Sequence, residues 1–410
     1  MRILLLTHYY APEIGAPQRR WRELVSGFTA AGHEVAVCAP VPHYPHSRSR
    51  DLGRSGTRKW EWEDGEYGER ILRLPYVYTS SSMVRQLVDQ GTSSAAALAV
   101  AAAMRGNRPD VVISTTPGLP MLFTGEAVAR LLGVPHVAEV RDAWPDLIAD
   151  SSLVTSASKG LVPKAIADRA ERQWLPALFT GVQKRAEAVV VTTEGFAQRL
   201  RERGVGNVTC IRNTARVDEH AVHWRPAFSP DTPLRLAYVG TVGRSQGLQT
   251  LVHAVGNVSG VELRIVGAGA ACAELEAAAA PHADRIRFLP QTVGPELENL
   301  WAWAHSGVVS LEPVPAFEYT IPSKIYTLMA KGVHITGALS GEAAAIVRES
   351  GAGHVAEPGD PVALERLITD LRTGALPVTQ KPSAMQWIRE HASPERAVAT
   401  YLEVLAEAAR

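Results

Sequence analysis

Apolar positions along the chain fall into short continuous runs that alternate with stretches of helical period. Residues 2–7 form one such run; a helical pattern follows at about 18–31, Gly32 closes it, and a second run spans 34–39. Residues 60–78 alternate around Asp64-Gly65, which predicts a hairpin. Strands are expected at 110–114, 137–140, 188–191 and 208–211, with helices at 120–132, 170–187 and 194–203 between them. A second series opens at 234–240 and runs into Gly240-Thr241-Val242-Gly243-Arg244-Ser245-Gln246-Gly247, after which Leu248, Leu251, Val252 and Val255 share one helical face. Strands at 261–266, 285–289 and 307–311 follow, separated by an Ala/Glu-rich helix and a helix near 295–304. Strand and helix repeated in this way predict mostly parallel sheets covered on both faces. The polar, proline-bearing stretch 214–233 reads as a linker and hinge, giving domains 1–213 and 234–393. A last helix, about 394–408, is expected to cross back onto the first domain, 394–410 packing there.

The stretch Phe317-Glu318-Tyr319-Thr320-Ile321-Pro322-Ser323-Lys324 carries the most chemistry. Pro322 suits a first helical position, and Ser323 and Lys324 follow where backbone N–H groups lack helical partners. Free N–H groups, the positive end of the helix dipole and a lysine make an anion site, most naturally for phosphate. Glu318, six residues before Lys324, is placed to meet hydroxyls of whatever the phosphate carries. A capped helix start with a solvated lysine reads equally well from these residues alone. Their company favours the ligand site: glycine-bearing turns at Gly240, at Gly267-Ala268-Gly269 and at Ser340-Gly341-Glu342 all sit at strand-to-helix junctions, where open α/β sheets bind ligands.

Composition narrows the classes. The chain has 410 residues, enough for two domains that each bury a core. Forty-two basic residues balance forty-two acidic ones, which removes the case for bulk nucleic-acid affinity. Three cysteines (Cys38, Cys210, Cys272) lack metal-ligand spacing; Cys38 and Cys210 read as buried thiols at strand ends, in keeping with a reducing cytoplasm. The apolar start Ile3 to Leu6 reads as a core strand rather than a signal peptide. The Ala-rich run from Ser93 to Met104 is about half a membrane span. It reads as a buried or interfacial helix; the alternative is a bilayer-surface helix, with Val84, Leu87 and Val88 before it and Arg85 and Arg105 at its ends.

Over its whole length the chain resembles the family 4 glycosyltransferases. The matching pieces are Thr7-His8-Tyr9-Tyr10-Ala11-Pro12-Glu13-Ile14-Gly15-Ala16-Pro17, Gly32-His33-Glu34-Val35, Arg141-Asp142-Ala143-Trp144-Pro145-Asp146, Val239-Gly240 with Gln246-Gly247-Leu248, and Phe317 through Lys324. The nearest branch by these motifs transfers N-acetylated amino sugars, such as fucosamine, in bacterial surface-polysaccharide assembly. The resemblance implies a GT-B fold, two doubly wound Rossmann-like domains facing a cleft. It implies a nucleoside diphosphate-sugar donor held by Gly240, Arg244, Gln246, Gly267, Gly269, Glu318, Ser323, Lys324, Thr327, Gly341 and Glu342, with Gly15 opposite. Arg244 and Lys324 neutralise the leaving diphosphate in that scheme, and Asp142, Glu318, Arg244 and Lys324 are the residues expected to carry catalysis. His8, Arg141, Asp142 and Trp144 fall on the acceptor side. Retaining members work without an obvious protein nucleophile, by positioning and electrostatic stabilisation.

Two positions depart from the family pattern. Most members carry two glutamates eight positions apart; here those places are Tyr319 and Thr327, and Glu318 is the nearest carboxylate. The usual lysine before Gly247 is Gln246, which leaves more of the phosphate contact to Arg244. Several residues also have structural readings: Trp144 and His8 as core side chains, Asp142 as a cap, Glu342 as a first-turn carboxylate. The expected function is retaining transfer of an N-acetylhexosamine-type sugar from a UDP-sugar to a hydroxyl of a lipid-linked glycan or small-molecule acceptor. No intrinsic metal or cofactor is expected, no nucleic-acid partner, and a cytoplasmic setting with peripheral membrane contact as a variant. The alternatives are a GT-B UDP-N-acetylglucosamine epimerase or hydrolase, and a non-catalytic sugar-nucleotide-binding subunit. A dinucleotide-dependent dehydrogenase is disfavoured, because no Gly-x-Gly-x-x-Gly follows the first strand.

Overall fold

The first apolar run becomes β1 (Arg2–Leu6), and its two sets of side chains go to opposite faces. Ile3 and Leu5 join a core with Trp21 and Phe28, whereas Leu4 and Leu6 join one with Leu72, Ala97 and Met121. A strand buried on both faces has no need of polar alternation, which is why the run reads as continuous. The computed structural model describes residues 1–43, 59–76, 83–106, 108–151, 163–217 and 227–410. They divide into two compact units, one of Met1–Asn213 with Pro394–Arg410 and one of Thr214–Ser393.

In the first unit β1 is followed by α1 (Ala16–Ala30), β2 (Glu34–Pro40), β3 (Trp62–Asp64), β4 (Arg70–Leu74) and α2 (Met83–Ala103). Next come β5 (Val111–Thr115), α3 (Leu119–Leu132), β6 (His136–Val140), α4 (Asp146–Ser151), α5 (Lys164–Arg169) and α6 (Leu175–Arg185). β7 (Ala188–Val191), α7 (Glu194–Glu202) and β8 (Val208–Cys210) complete the run. The sheet has the order β3-β4-β2-β1-β5-β6-β7-β8, and only the β3–β4 hairpin is antiparallel. A π-helical turn at Ala170–Trp174 joins α5 to α6, so the helix expected at 170–187 starts earlier, at Lys164. The Ala-rich α2 lays Ala96, Ala97 and Ala101 into the core, so this face packs on protein rather than lipid. Val84, Arg85, Leu87 and Arg105 lie outside the described side chains. Among the described residues no helix is long and apolar enough to cross a membrane. Cys38 is buried inside β2, not at its end, and Cys210 is only half-buried.

The second unit runs β9 (Leu234–Val239), α8 (Leu248–Asn257), β10 (Val261–Val266), α9 (Cys272–Ala279), β11 (Ile286–Leu289) and α10 (Pro295–Trp303). β12 (Ser306–Ser310), α11 (Ser323–Ala330), β13 (His334–Ala338), α12 (Gly341–Glu349), β14 (Gly353–Ala356), α13 (Pro361–Thr373) and α14 (Pro382–His391) follow. Its sheet is wholly parallel, in the order β11-β10-β9-β12-β13-β14. Ala215, Val217 and Phe228, within the stretch read as linker, pack against the cores of this unit; 218–226 lie outside the described residues.

The last helix, α15 (Pro394–Ala408), belongs to the first unit. Tyr401 is fully buried there, with ring centroids 5.9 Å from Trp21 and 5.5 Å from Phe28. α1 admits it because Gly27 has no side chain: a Cβ there would lie 2.3 Å from Val398 Cγ2.

Candidate functional site

In the second unit the strand order reverses between β9 and β12, so the crevice lies beyond their carboxyl ends. Gly240 follows β9 at φ +142° and Gly267 follows β10 at φ +154°. A Cβ on Gly267 would stand 1.9 Å from Gly240 O, and one on Gly269 2.1 Å from Val242 O. These glycines therefore let two loops touch each other, laced by Val242 N donating to Ala268 O at 2.9 Å and Ala271 N to Val242 O at 3.0 Å. The loops after β9 and β12 are joined as well, Glu312 N donating to Ser245 O at 3.0 Å.

Lys324 reaches into this junction from α11. Its Nζ lies 3.7 Å from the centroid of the Tyr238 ring, a cation–π contact. A Cβ on Gly240 would come within 3.1 Å of the same atom. The residue keeps some exposure, but Nζ is buried and has no hydrogen-bond partner among the described residues. Burial pulls the ammonium pKa down to about 7. Tyr238 is fixed from beneath, its hydroxyl donating to Thr241 O at 2.6 Å. Pro322 is the N-cap of α11 rather than its first helical residue, and no side chain caps this end. Ser323 and Thr327, both half-buried, are one turn apart on the same helix.

Arg244 is exposed on a 3-10 turn (Arg244–Gln246), and its guanidinium makes no hydrogen bond or ion pair among the described residues. Gln246 turns inward: its Oε1 accepts from Gly243 N at 3.1 Å, so it shapes the loop. Glu318 is exposed on a second 3-10 turn (Pro315–Tyr319). Gly341, at φ +56°, lies against that turn, where a Cβ would be 1.8 Å from Glu318 O. The start of α12, with Glu342 in its first turn and no side-chain cap, is thereby seated beside Glu318.

The other expected residues belong to the first unit. Gly15 is the N-cap of α1, in extended conformation and with no side-chain cap. His8 stands after β1, where the order reverses towards β5, and packs on Gly118, where a Cβ would be 2.8 Å from His8 Cβ. It is buried, with Nε2 3.4 Å from Asp89 Oδ2. Beside it His43 lies 3.3 Å from Glu13 Oε1, and Gln18 Nε2 donates to Glu13 Oε2 at 2.9 Å. Arg141 and Asp142 follow β6, and burial pushes the Asp142 carboxyl up against the pull of Arg141. Trp144 is half-buried, 6.5 Å from Phe179 in a stacked arrangement, with its carbonyl held by Gln183 Nε2 at 3.1 Å. The residues that sequence reasoning missed are Tyr238, Asp89 and the Glu13–His43 pair. Tyr238 left a trace as a lone phenol among aliphatics two places before a glycine, and Glu13 one as part of the matching piece Thr7 to Pro17. Among the described residues no three His, Cys, Asp or Glu side chains gather as a metal site.

Comparison with known proteins finds a match in each half of the chain. A family model described as a glycosyl transferase 4-like domain matches residues 15–214, and one described as glycosyl transferases group 1 matches residues 233–373. The chain is similar to the putative colanic acid biosynthesis glycosyl transferase WcaI of Escherichia coli (strain K12), 24% identical over 347 residues, covering 81% of this chain and 82% of that one. It is also similar to the probable glycosyltransferase WbjE of Pseudomonas aeruginosa, 25% identical over 280 residues, covering 65% and 67%. Among solved structures, sucrose-phosphate synthase from Thermosynechococcus elongatus matches with a TM-score of 0.71 at 16% identity, over 99% of this chain and 98% of that one. Anabaena HepE, in complex with UDP and glucose, matches with a TM-score of 0.68 at 13% identity, over 99% of each chain. These neighbours share the two parallel-sheet, Rossmann-like units of the GT-B fold. The chain belongs to the family 4 glycosyltransferases.

Proposed function

We propose that this glycosyltransferase takes a UDP-sugar of the N-acetylhexosamine type and moves the sugar to a hydroxyl of a lipid-linked glycan or small-molecule acceptor. The observation that carries the donor half is the buried, unpartnered Nζ of Lys324 at the carboxyl end of β9. A cation without a counter-ion in that place suits a diphosphate, and the uncapped start of α11 offers its N–H groups beside it. Arg244 is exposed and free to close on the same charge. Glu318 is suited to a hydroxyl of the donor.

The chemistry we infer is substitution with retention. The acceptor hydroxyl attacks the anomeric carbon from the face that the diphosphate leaves, a C–O bond to the acceptor forms, and the bond to the UDP oxygen breaks. The hydroxyl proton passes to a phosphate oxygen of the leaving UDP. Lys324 and Arg244 stabilise the negative charge that grows there, so the protein acts by positioning and electrostatics. With two protein cations on the diphosphate, we expect turnover to persist in a chelator.

The test is calorimetric titration with UDP, GDP and ADP, followed by UDP-N-acetylglucosamine. Selective UDP binding is expected, and Lys324→Ala should weaken it by about 1.5–3 kcal/mol. Absence of binding by any nucleotide would overturn the donor assignment.

A further inference from the structure

Arg141 carries a guanidinium that the described residues do not satisfy. Nε and Nη1 are buried and hydrogen-bond to no described residue. Nη2, which shares an edge of the guanidinium plane with each of them, is partnerless too but is not among the buried atoms. Buried polar groups are almost always paired, so an unmet charged donor with one open nitrogen calls for an explanation.

Neighbouring carboxylates do not supply it. Glu139 is occupied: Arg20 Nε and Nη2 both donate to its Oε2 at 3.1 Å, and Thr115 Oγ1 donates to Oε1 at 3.0 Å. Asp142 makes no hydrogen bond with Arg141, and burial favours its protonated form. Glu139 is thus bound to Arg20 and Thr115, and neither carboxylate hydrogen-bonds the Arg141 guanidinium.

The backbone of Arg141 is also held in place. Its N–H donates to Thr116 Oγ1 at 3.1 Å, and Thr192 Oγ1 donates to its carbonyl at 3.0 Å. Thr116 follows β5 and Thr192 follows β7, so the strands on both sides of β6 clamp the residue at the carboxyl end of the sheet. The same end holds His8, beside the strand-order reversal, and Trp144, whose Nε1 is another buried and unmet donor. A guanidinium started from a fixed backbone position, with one nitrogen outside the buried set, offers a planar fork of donors suited to an oxyanion.

We propose that Arg141 binds a phosphate group carried by the acceptor, which makes the acceptor a phosphorylated or diphosphate-linked molecule rather than a neutral glycan. This rests on the reading that the first unit receives the acceptor. A phosphate ester or diphosphate offers oxyanion acceptors to guanidinium nitrogens that the described residues leave without a hydrogen bond.

The test uses the full-length chain saturated with UDP, so that the second unit's cations are occupied. Glucose 1-phosphate, farnesyl diphosphate and glucose are then titrated by calorimetry. At least one phosphate is expected to bind and glucose is not. Farnesyl diphosphate alone would identify a lipid-linked source, and glucose 1-phosphate alone a soluble one. Arg141→Gln should weaken that binding by roughly tenfold or more, with Arg141→Lys intermediate. UDP affinity and thermal midpoint should hold in both variants, showing that the fold and donor site are intact. Failure of both phosphates to bind, or equal binding by Arg141→Gln, overturns the proposal. If UDP itself does not bind, the donor assignment fails separately, and the same titrations without UDP still decide the role of Arg141.

Discussion

An ammonium group with a pKa near 7 is half-charged at neutral pH, and this sets how Lys324 responds to a ligand. Its ordinary value is 10.5, so between about 7 and 10.5 the unfolded chain binds a proton that the folded chain lacks. Stability of the ligand-free protein therefore rises with pH across that window. Lys324→Met should stabilise the empty protein at pH 7 and flatten that rise. A diphosphate reverses the preference, because it favours the charged lysine. Above pH 7 the terminal phosphate of UDP is already ionised (second pKa about 6), so any proton taken up on binding comes to the protein. We predict proton uptake when UDP binds at pH 8, measured by calorimetry in buffers of different ionisation enthalpy, and its loss in Lys324→Arg. Binding at pH 8 without proton uptake would mean that the lysine is already charged or does not meet the phosphate. Lys324 and Gly240 were both legible in the sequence, one as a helix-start cation and the other as a strand-end glycine. Tyr238 was not, because its contact with Lys324 joins β9 to α11 across some eighty residues of chain, and alternation along β9 marks it only as core.

Strands and helices were legible wherever burial imposes a period, and both sheets appear nearly where the apolar runs fall. Histidines within them were not, since a histidine in an apolar run carries no sign of its partner. Each sheet buries one at the first residue of the strand two places beyond its β1-type strand. His136 opens β6 and its Nε2 lies 2.8 Å from Ser114 Oγ; His334 opens β13 and its Nδ1 lies 2.8 Å from Ser306 Oγ. His334 also meets His354 across β13 and β14, Nε2 to Nδ1 at 2.9 Å. Burial pulls His136 down to about 4, and burial with the neighbouring His354 pulls His334 down to about 3. From the ordinary 6.5 down to those values the unfolded chain binds more protons, so stability falls as pH drops. Each histidine contributes a slope of about 1.4 kcal/mol per pH unit within its window. We predict that urea midpoints measured from pH 6.5 to 4.5 decline, and that His334→Gln makes the decline of the second unit shallower. An unchanged slope in that variant would place the acid sensitivity in other groups.

At the scale of the whole molecule, the chain's last helix finishes the core of the unit that its first residues began. The sequence shows the amphipathic repeat of α15 but not its docking face, because Gly27, which clears the way for Val398, reads only as a weak point inside α1. Tyr401 fills the space between Trp21 and Phe28 with no exposed surface, so its removal leaves a void lined by two aromatic rings. Truncating a buried aromatic residue to alanine costs about 3–5 kcal/mol, and Tyr401→Ala should destabilise the first unit by that amount. The two units have separate cores, and Tyr401 belongs to one of them. Hydrogen exchange followed by mass spectrometry should therefore show amide protection falling in β1 and α1 while β9 and β10 keep theirs. UDP affinity, assigned to the second unit, should change little under conditions where both units remain folded. Equal loss of protection in β1 and β9 would show that the units unfold as one cooperative body, and α15 would then be a brace for the whole chain rather than for one domain.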